Sequence, residues 1–312
     1  MRACIIWNPK AGQGLGSRRT LLAVSRQLES AGWKLQIWES REAGHATSLA
    51  RQAVEAGYQV VVAAGGDGTV NEVLNGLVGT GAILGVIPLG TTNVWAREMG
   101  IPLNPTQAAA LLLDGEVRTV DVGMAGDRYF LLMAGVGFDG EVMRAVEPEA
   151  KRRFGILAYL LVGAWAALTF RGTRADIVVD DRRLRRRRIQ LMVLGNTRRY
   201  AFVEITPQAR ADDGLLDVCI FEGKEGFLTK IRHLIAVLLG RHIRSPEVEY
   251  LRGAQVVVWT QDPLPVQADG EYIGSTPMTF RVIPRAIRVI LARELPKGLL
   301  GESGVVTLDN RS

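Results

Sequence analysis

Branched apolar residues gather in short runs at positions 3–7, 35–38, 60–63 and 83–87, and the segments between them carry apolar residues at helical spacing. The runs predict strands, and the spacing of three and four predicts amphipathic helices. Leu21, Val24 and Leu28 share one helical face after a Ser17 cap and before Gly32. Leu49, Ala53 and Val54 line a second helix, and Val70, Val73, Leu74 and Leu77 a third. Asn104 followed by Pro105 starts a fourth, as a cap and a first-turn proline should. Strands alternating with helices predict a three-layer α/β domain over residues 1–125.

From about Asp127 the pattern changes. Runs at 129–136, 175–179, 189–194, 216–221, 256–259 and 279–283 predict strands joined mostly by turns, so residues 126–291 read as a second, β-rich domain of β-sandwich type. Helices are predicted to interrupt it at 151–170 and 225–239, the latter with Leu228, Ile231, Ile235 and Leu238 on one face. Residues 292–312 are too few for a domain and are expected to fray or to pack back on the first one.

A chain of 312 residues fits two cores, and its 47% hydrophobic and 22% charged residues exclude disorder. Cys4 and Cys219 stand far apart in apolar runs, which argues against a disulfide framework or thiolate metal site and for a reducing compartment. The N-terminal apolar stretch is too short for a secretory signal, and the run at 156–170 falls short of the roughly 18 to 20 residues that cross a bilayer. A cytoplasmic protein is expected. The net charge of +6 permits anionic partners without choosing among them.

The sharpest chemical signal is Gly65-Gly66-Asp67-Gly68-Thr69, directly after a predicted strand and before an amphipathic helix. Glycines there let backbone approach a phosphate, and the helix start offers N–H groups and a positive dipole end. Asp67 would repel bare phosphate, so it fits a site where Mg²⁺ bridges carboxylate and phosphate. Asn8-Pro9-Lys10-Ala11-Gly12 follows the first strand, Gly90-Thr91-Thr92-Asn93 the fourth, and Asp269-Gly270-Glu271 lies late in the second domain. The last tripeptide alone also reads as a plain hairpin turn. Asp212, Asp213 and Asp217 crowd Gly214, which reads equally as a solvated turn or a hard-cation loop.

Together and in this order, these motifs resemble the soluble bacterial lipid kinases of the diacylglycerol kinase catalytic-domain family. The resemblance covers almost the whole chain. It implies a nucleotide-binding domain of the NAD kinase and phosphofructokinase type, with ATP held by Asn8, Pro9, Lys10, Ala11, Gly12, Ser40, Gly65, Gly66, Asp67, Gly68, Thr69, Glu72, Gly90, Thr91, Thr92 and Asn93. It implies an acceptor between the domains, Glu271 as the base that deprotonates a lipid hydroxyl, Asp269 as its supporting partner, and Asp67 linked through Mg²⁺ to the triphosphate. It further implies a structural Mg²⁺ held by Asp213 and by backbone carbonyls near Arg210 and Leu215. The acceptor expected is a membrane lipid, diacylglycerol first.

Two features depart from the family pattern. Val94 follows Asn93 where an aspartate is usual, and residues 197–206 after Asn196 lack the usual glycine run, so the acceptor pocket is expected to differ in shape. His45, after Gly44, reads as a loop residue rather than a base. Arg182, Arg183, Arg185, Arg186, Arg187 and Arg188 read either as a solvated hairpin or as a patch for an anionic membrane surface. The helix at 156–170, with Tyr159, Trp165 and Phe170 and the flanking Lys151, Arg152, Arg153 and Arg171, is the second candidate for membrane contact. The expected site of action is the inner face of the cell membrane, peripherally. Nucleic acid is disfavoured because aromatics do not interleave the arginines, and a homodimer is compatible with the chain. The rival readings are an NAD kinase, which shares Gly65–Thr69, and a non-catalytic nucleotide and membrane sensor.

Overall fold

The branched-apolar runs form a parallel sheet. In the computed structural model, which describes residues 1–11, 15–145, 170–200, 203–222, 227–296, 298–301 and 305–306, the chain forms two units. Unit 1 holds Met1–Val122, Arg210–Gly214 and Ile283–Ser312; unit 2 holds Gly123–Ala209 and Leu215–Val282. The divisions after Val122 and before Ile283 fall inside strands, where the sequence suggests boundaries at 125 and 291.

Unit 1 runs β1 (Arg2–Trp7), α1 (Leu15–Ser30), β2 (Lys34–Glu39), α2 (His45–Glu55), β3 (Val60–Gly65), α3 (Asp67–Leu77), β4 (Ile83–Pro88), α4 (Val94–Glu98), α5 (Pro105–Asp114) and most of β5 (Glu116–Ala125). The strands β2, β1, β3 and β4 pair in parallel in that order. Because β3 and β4 are buried along their whole length, they read as unbroken apolar runs. The helices α1 and α5 pack on each other, as do α2 and α3, giving a helix layer on each face. A Cβ on Gly76 would stand 2.6 Å from Ala50 Cβ, so glycine sets the close approach of α3 to α2. Asn104 caps α5 as expected, its Oδ1 accepting the N–H groups of Thr106 and Gln107. Ser17 is no cap: α1 starts at Leu15, which leaves Ser17 buried inside the helix.

Unit 2 continues with β6 (Arg128–Phe130), β7 (Met133–Gly137), α6 (Phe138–Ala145), β8 (Thr173–Val179), β9 (Arg182–Gly195), β10 (Arg199–Tyr200), β11 (Val203–Glu204), β12 (Leu216–Glu222), α7 (Phe227–Leu238), β13 (Val248–Gly253), β14 (Gln255–Thr260), β15 (Pro265–Ala268), β16 (Glu271–Ser275) and the start of β17 (Met278–Leu291). The rest of β17 belongs to unit 1, where it pairs in parallel with β4, and β18 (Val305–Val306) pairs with β5. The long strand β9 is shared in unit 2. Its first half pairs with β8, and after a bulge near Arg188 its second half lies between β7 and β12. The apolar faces of these strands enclose one core that includes Phe130, Val136, Ile177, Met192, Leu194, Val218, Val258 and Phe280.

The single strand expected at 129–136 is two, broken at Leu131 and Leu132. The arginine-rich segment, expected at a turn and strand start, lies on β9; Asp180, at φ 49°, and Asp181 make the turn before it, and Asp180 Oδ1 accepts the N–H groups of Ala254 and Gln255. Arg183 and Arg185 both pair with Asp176, at 3.2 and 3.7 Å, and Arg182 with Glu249 at 3.6 Å. The helix expected at 225–239 is present as α7, but Ile235 and Leu238 face outward. The helix expected at 151–170 lies outside the described residues apart from Phe170, which packs edge-to-face on Phe138. Among the described residues no helix is long and apolar enough to cross a membrane. Cys4 and Cys219 are free and buried, and burial pushes both thiols up to about 12.

Candidate functional site

In unit 1 the C-terminal ends of β1, β3 and β4 lie side by side, so the loops that follow them converge. Asn8 N–H donates to Ala64 O at 3.1 Å and Leu89 N–H to Gly65 O at 2.9 Å, which extends the ladder into the loops. Asn8 Nδ2 donates to Thr69 Oγ1 at 3.2 Å, and Asn8 Oδ1 accepts Lys10 N–H at 3.0 Å. Ala11 N–H returns to Asn8 O, closing a turn over Pro9. A Cβ on Gly65 would stand 2.3 Å from Thr69 Oγ1, and one on Gly90 only 2.5 Å from Gly66 Cα. Glycine at these positions lets two loops meet backbone to backbone.

Asn93 takes a left-handed φ of 46° and closes the fourth loop on itself, with Nδ2 donating to Gly90 O at 2.7 Å and Oδ1 accepting Gly90 N–H at 3.1 Å. Arg97 Nε donates to Thr92 O at 2.9 Å. A cleft of about 400 Å³ opens beside this loop, lined among others by Ser17, Thr20, Thr91 and Arg97. Hydroxyls and a guanidinium are suitable donors to phosphate oxygens. Helix α3 starts at Asp67 without a side-chain cap, which leaves the positive end of its dipole for an anion. The half-buried Asp67 accepts Trp95 N–H at 3.0 Å through Oδ1, tying the start of α3 to the start of α4. Val94, the departure noted in the sequence, is buried.

Other residues expected at the nucleotide sit around these loops. Lys10 Nζ donates to Arg41 O at 3.0 Å, and Ser40 is buried with its N–H on Trp7 O. The Glu72 carboxylate accepts Ala46 N–H at 3.0 Å, so it serves the start of α2. His45 begins that helix, its Nδ1 accepting Arg41 N–H at 3.1 Å. Gly12 lies outside the described residues.

The segment Arg210–Gly214 belongs to unit 1, and Leu215 is the next residue along the chain. Beside it stands a carboxylate the sequence did not single out. Asp121 is buried, and its two oxygens accept Gly214 N–H and Arg285 N–H, both at 2.7 Å. Asp212 accepts Gly301 N–H through both oxygens. Burial raises the pKa of Asp121 and of Asp212, and the neighbouring Asp213 raises both further. Arg210 and Arg118 offset part of this charge at Asp212, and the oxygen donors here are of the kind that suits a hard cation. Among the described residues no three His, Cys, Asp or Glu side chains converge as a ligand set, so backbone carbonyls would have to complete one.

In unit 2, Asp269 and Gly270 make the two-residue turn between β15 and β16, with φ of 46° and 83°. Those angles belong to the mirror-image turn that suits a hairpin. The Asp269 carboxylate points to the break between β6 and β7, where it accepts Leu131 N–H at 2.7 Å, Leu132 N–H at 2.9 Å and Met133 N–H at 3.0 Å. Asn196 grips the same break from its carbonyl side, with Nδ2 donating to Leu131 O. Glu271 heads β16, and its Oε2 accepts Arg128 Nη2 at 3.0 Å. Its side chain is 41% exposed and can be reached by an acceptor. Asp269 therefore holds the turn that presents Glu271, and Arg128 is the direct partner of that glutamate.

Behind this turn lies Asp139, which sequence reasoning missed although Gly137-Phe138-Asp139-Gly140 joins a buried strand to a helix. It accepts from Tyr200 OH and from Gln267 Nε2, and Gln267 Oε1 in turn accepts Gly270 N–H at 2.8 Å. A Cβ on Gly135 would stand 2.0 Å from Asp139 Oδ2, so that glycine makes room for the carboxylate. Burial pushes Asp139 up to about 6, against the pull of its two donors. The folded chain thus retains a proton that the unfolded carboxyl releases near pH 4, and stability falls as pH rises from about 4 through 6. Relative to Asp139→Asn, wild type should lose on the order of 3 kcal/mol across that window, read from urea midpoints at several pH values. A difference that does not change with pH would refute the assignment.

Comparison with known proteins gives this geometry a family. Residues 2–125 match the model of the diacylglycerol kinase catalytic domain, and residues 133–291 match that of the YegS C-terminal NAD kinase beta sandwich-like domain. The chain is 33% identical over 296 residues to a diacylglycerol kinase of Bacillus subtilis (strain 168), covering 94% of this chain and 97% of that one. It is 31% identical over 299 residues to a diacylglycerol kinase of Staphylococcus carnosus (strain TM300), covering 94% and 96%. A solved diacylglycerol kinase structure from Bacillus anthracis str. Sterne has a TM-score of 0.77 at 26% identity, covering 94% of this chain and 97% of that one. Matched by both domain models in order and by these relatives nearly end to end, the chain belongs to the diacylglycerol kinase catalytic-domain family.

Proposed function

We propose that this lipid kinase transfers the γ-phosphoryl group of ATP to the free hydroxyl of diacylglycerol, acting as a cytoplasmic, peripheral enzyme at the inner face of the membrane. The observation that carries the nucleotide half is the backbone meeting of Gly66 and Gly90 beside the uncapped start of α3. Such a loop pair offers N–H groups and a helix dipole to a phosphate and leaves no Cβ to block it. The acceptor half rests on the relatives, which are named for diacylglycerol.

In this reading Gly65–Thr69, Asn8 and Gly90–Asn93 hold the triphosphate, and Glu271 faces the acceptor. The Glu271 carboxylate takes the hydroxyl proton as the oxygen bonds to the γ-phosphorus, and the bond from that phosphorus to the bridging oxygen breaks, releasing ADP. Asp67 would hold a Mg²⁺ ion that neutralises the charge on the phosphate oxygens. A second, structural Mg²⁺ would take the Asp213 carboxylate and the carbonyl oxygens of Arg210 and Leu215, relieving the crowded charge around Asp121 and Asp212.

Transfer of γ-label from ATP to a panel of diacylglycerol, sphingosine, ceramide, phosphatidylglycerol, a polyprenol and NAD tests the proposal. Label in diacylglycerol is expected. Label in NAD alone would make the chain an NAD kinase, and ATP binding without label in any acceptor would make it a sensor.

A further inference from the structure

Helix α7 turns an apolar stripe outward. Leu234, Ile235 and Leu238, with Leu239 just beyond the helix end, are 58%, 51%, 62% and 62% exposed. No other stretch of the described residues exposes four large apolar side chains within six positions. A polar contact helps to hold the helix to unit 2. His233 is buried, its ring edge-to-face with Phe221 at 5.6 Å and its Nε2 3.1 Å from Glu247 Oε2, and Arg232 pairs with the same carboxylate. A surface helix ordinarily buries its apolar stripe and shows its polar one. Here an apolar stripe is turned outward, and an exposed apolar patch of this kind marks a surface with a partner.

The charges around the stripe identify that partner. Residues 227–244 carry Lys230, Arg232, Arg241 and Arg244 and no acidic residue, and of these Arg232 is already paired with Glu247. Arg241 and Arg244 are exposed just past the end of α7, where Arg241 N–H closes on Ala236 O and His242, stacked on Phe221, fixes the following turn. A second copy of this chain would bring like charges together across the stripe. Anionic head groups would neutralise them. Twelve residues of helix span about 18 Å, short of a bilayer core of about 30 Å, so the segment can lie in the interface but not cross.

We propose that α7 is a membrane-docking helix, with Leu234, Ile235, Leu238 and Leu239 inserted at the acyl boundary of an anionic bilayer and Arg241 and Arg244 on its head groups. The inference rests on the lipid-kinase reading for its purpose and on the helix's own chemistry for its surface. It also relocates membrane contact from the β9 arginines, three of which already pair with Asp176 and Glu249.

The test is co-sedimentation of the full chain with phosphatidylglycerol–phosphatidylcholine vesicles. Leu234→Ser/Ile235→Ser/Leu238→Ser should weaken binding about tenfold or more while lowering the thermal midpoint only modestly, because the side chains are more than half exposed and serine is a poorer helix former than leucine. Arg241→Gln/Arg244→Gln should weaken binding to these vesicles, not to pure phosphatidylcholine, and flatten its salt dependence. The emission of Leu238→Trp should shift to the blue on phosphatidylglycerol vesicles. Wild-type sedimentation by the triple serine variant, or its conversion from dimer to monomer without change in vesicle binding, would overturn the proposal. Kinase assays separate the two readings. The serine variant should lose rate on long-chain diacylglycerol in vesicles and keep it on dispersed dioctanoylglycerol. If wild type phosphorylates neither, the kinase reading fails and the sedimentation result still decides the docking face.

Discussion

Glu271→Gln is expected to lower kcat by two to four orders of magnitude, about the usual contribution of a general base, with nucleotide affinity nearly unchanged. The amide keeps the size of the side chain and an oxygen for Arg128, so the β15–β16 turn should stay seated. What it loses is the ability to take the acceptor proton. Single-turnover rates with saturating ATP, beside equilibrium binding of a nonhydrolysable analogue, give the two quantities. Product at near wild-type speed would mean that another group is the base. Loss of nucleotide binding would mean that Glu271 acts elsewhere than at the acceptor.

Asp67→Asn should cost on the order of a thousandfold in kcat/KM, the scale of losing one electrostatic element at a developing phosphoryl charge. The structure makes Asn the informative replacement. Asp67 Oδ1 accepts Trp95 N–H, a bond that Asn can keep while the negative charge is lost. Asp67→Ala removes both, and should add a loss of about 1 kcal/mol in stability of the kind seen when a helix start is uncapped. Equal activity of wild type and Asp67→Asn across a Mg²⁺ titration would exclude a metal-linked role for this carboxylate. Equal losses in the Asn and Ala variants, with stability changed only in Ala, would separate its charge from its cap.

The glycine-built loops after β3 and β4 were legible in the sequence because their signal is local. Gly65–Thr69 lies within one turn between a strand and a helix, and the steric demand that makes residues 65 and 66 glycine is met within that turn and its neighbour loop. The Asp269–Gly270 turn was equally local, and its reading as a plain hairpin turn holds; the glutamate that follows it is the one proposed as base. Asp269 itself was harder to read. Its carboxylate serves backbone N–H groups more than a hundred positions earlier, at Leu131, Leu132 and Met133, and no spacing rule connects such partners.

Arg128, Asp139, Gln267 and Asp121 were missed for the same reason. Arg128 and Glu271 are 143 positions apart, and Asp139 and Gln267 are 128 apart. A lone charged residue between apolar ones reads as a solvated position until the fold supplies its partner. The exposure of α7 was also hidden. Helical spacing shows that Ile231, Ile235 and Leu238 share a face, but His233 and Arg232, gripping Glu247, decide which way that face points. The sequence by itself determined the alternation of strand and helix, the glycine-built loops after β3 and β4, and the family, because these follow from backbone preferences acting over a few residues. Only the tertiary structure decided which carboxylates hold backbone, which one stays exposed, and which apolar helix face is turned outward, because each depends on contacts between segments that chain spacing does not encode.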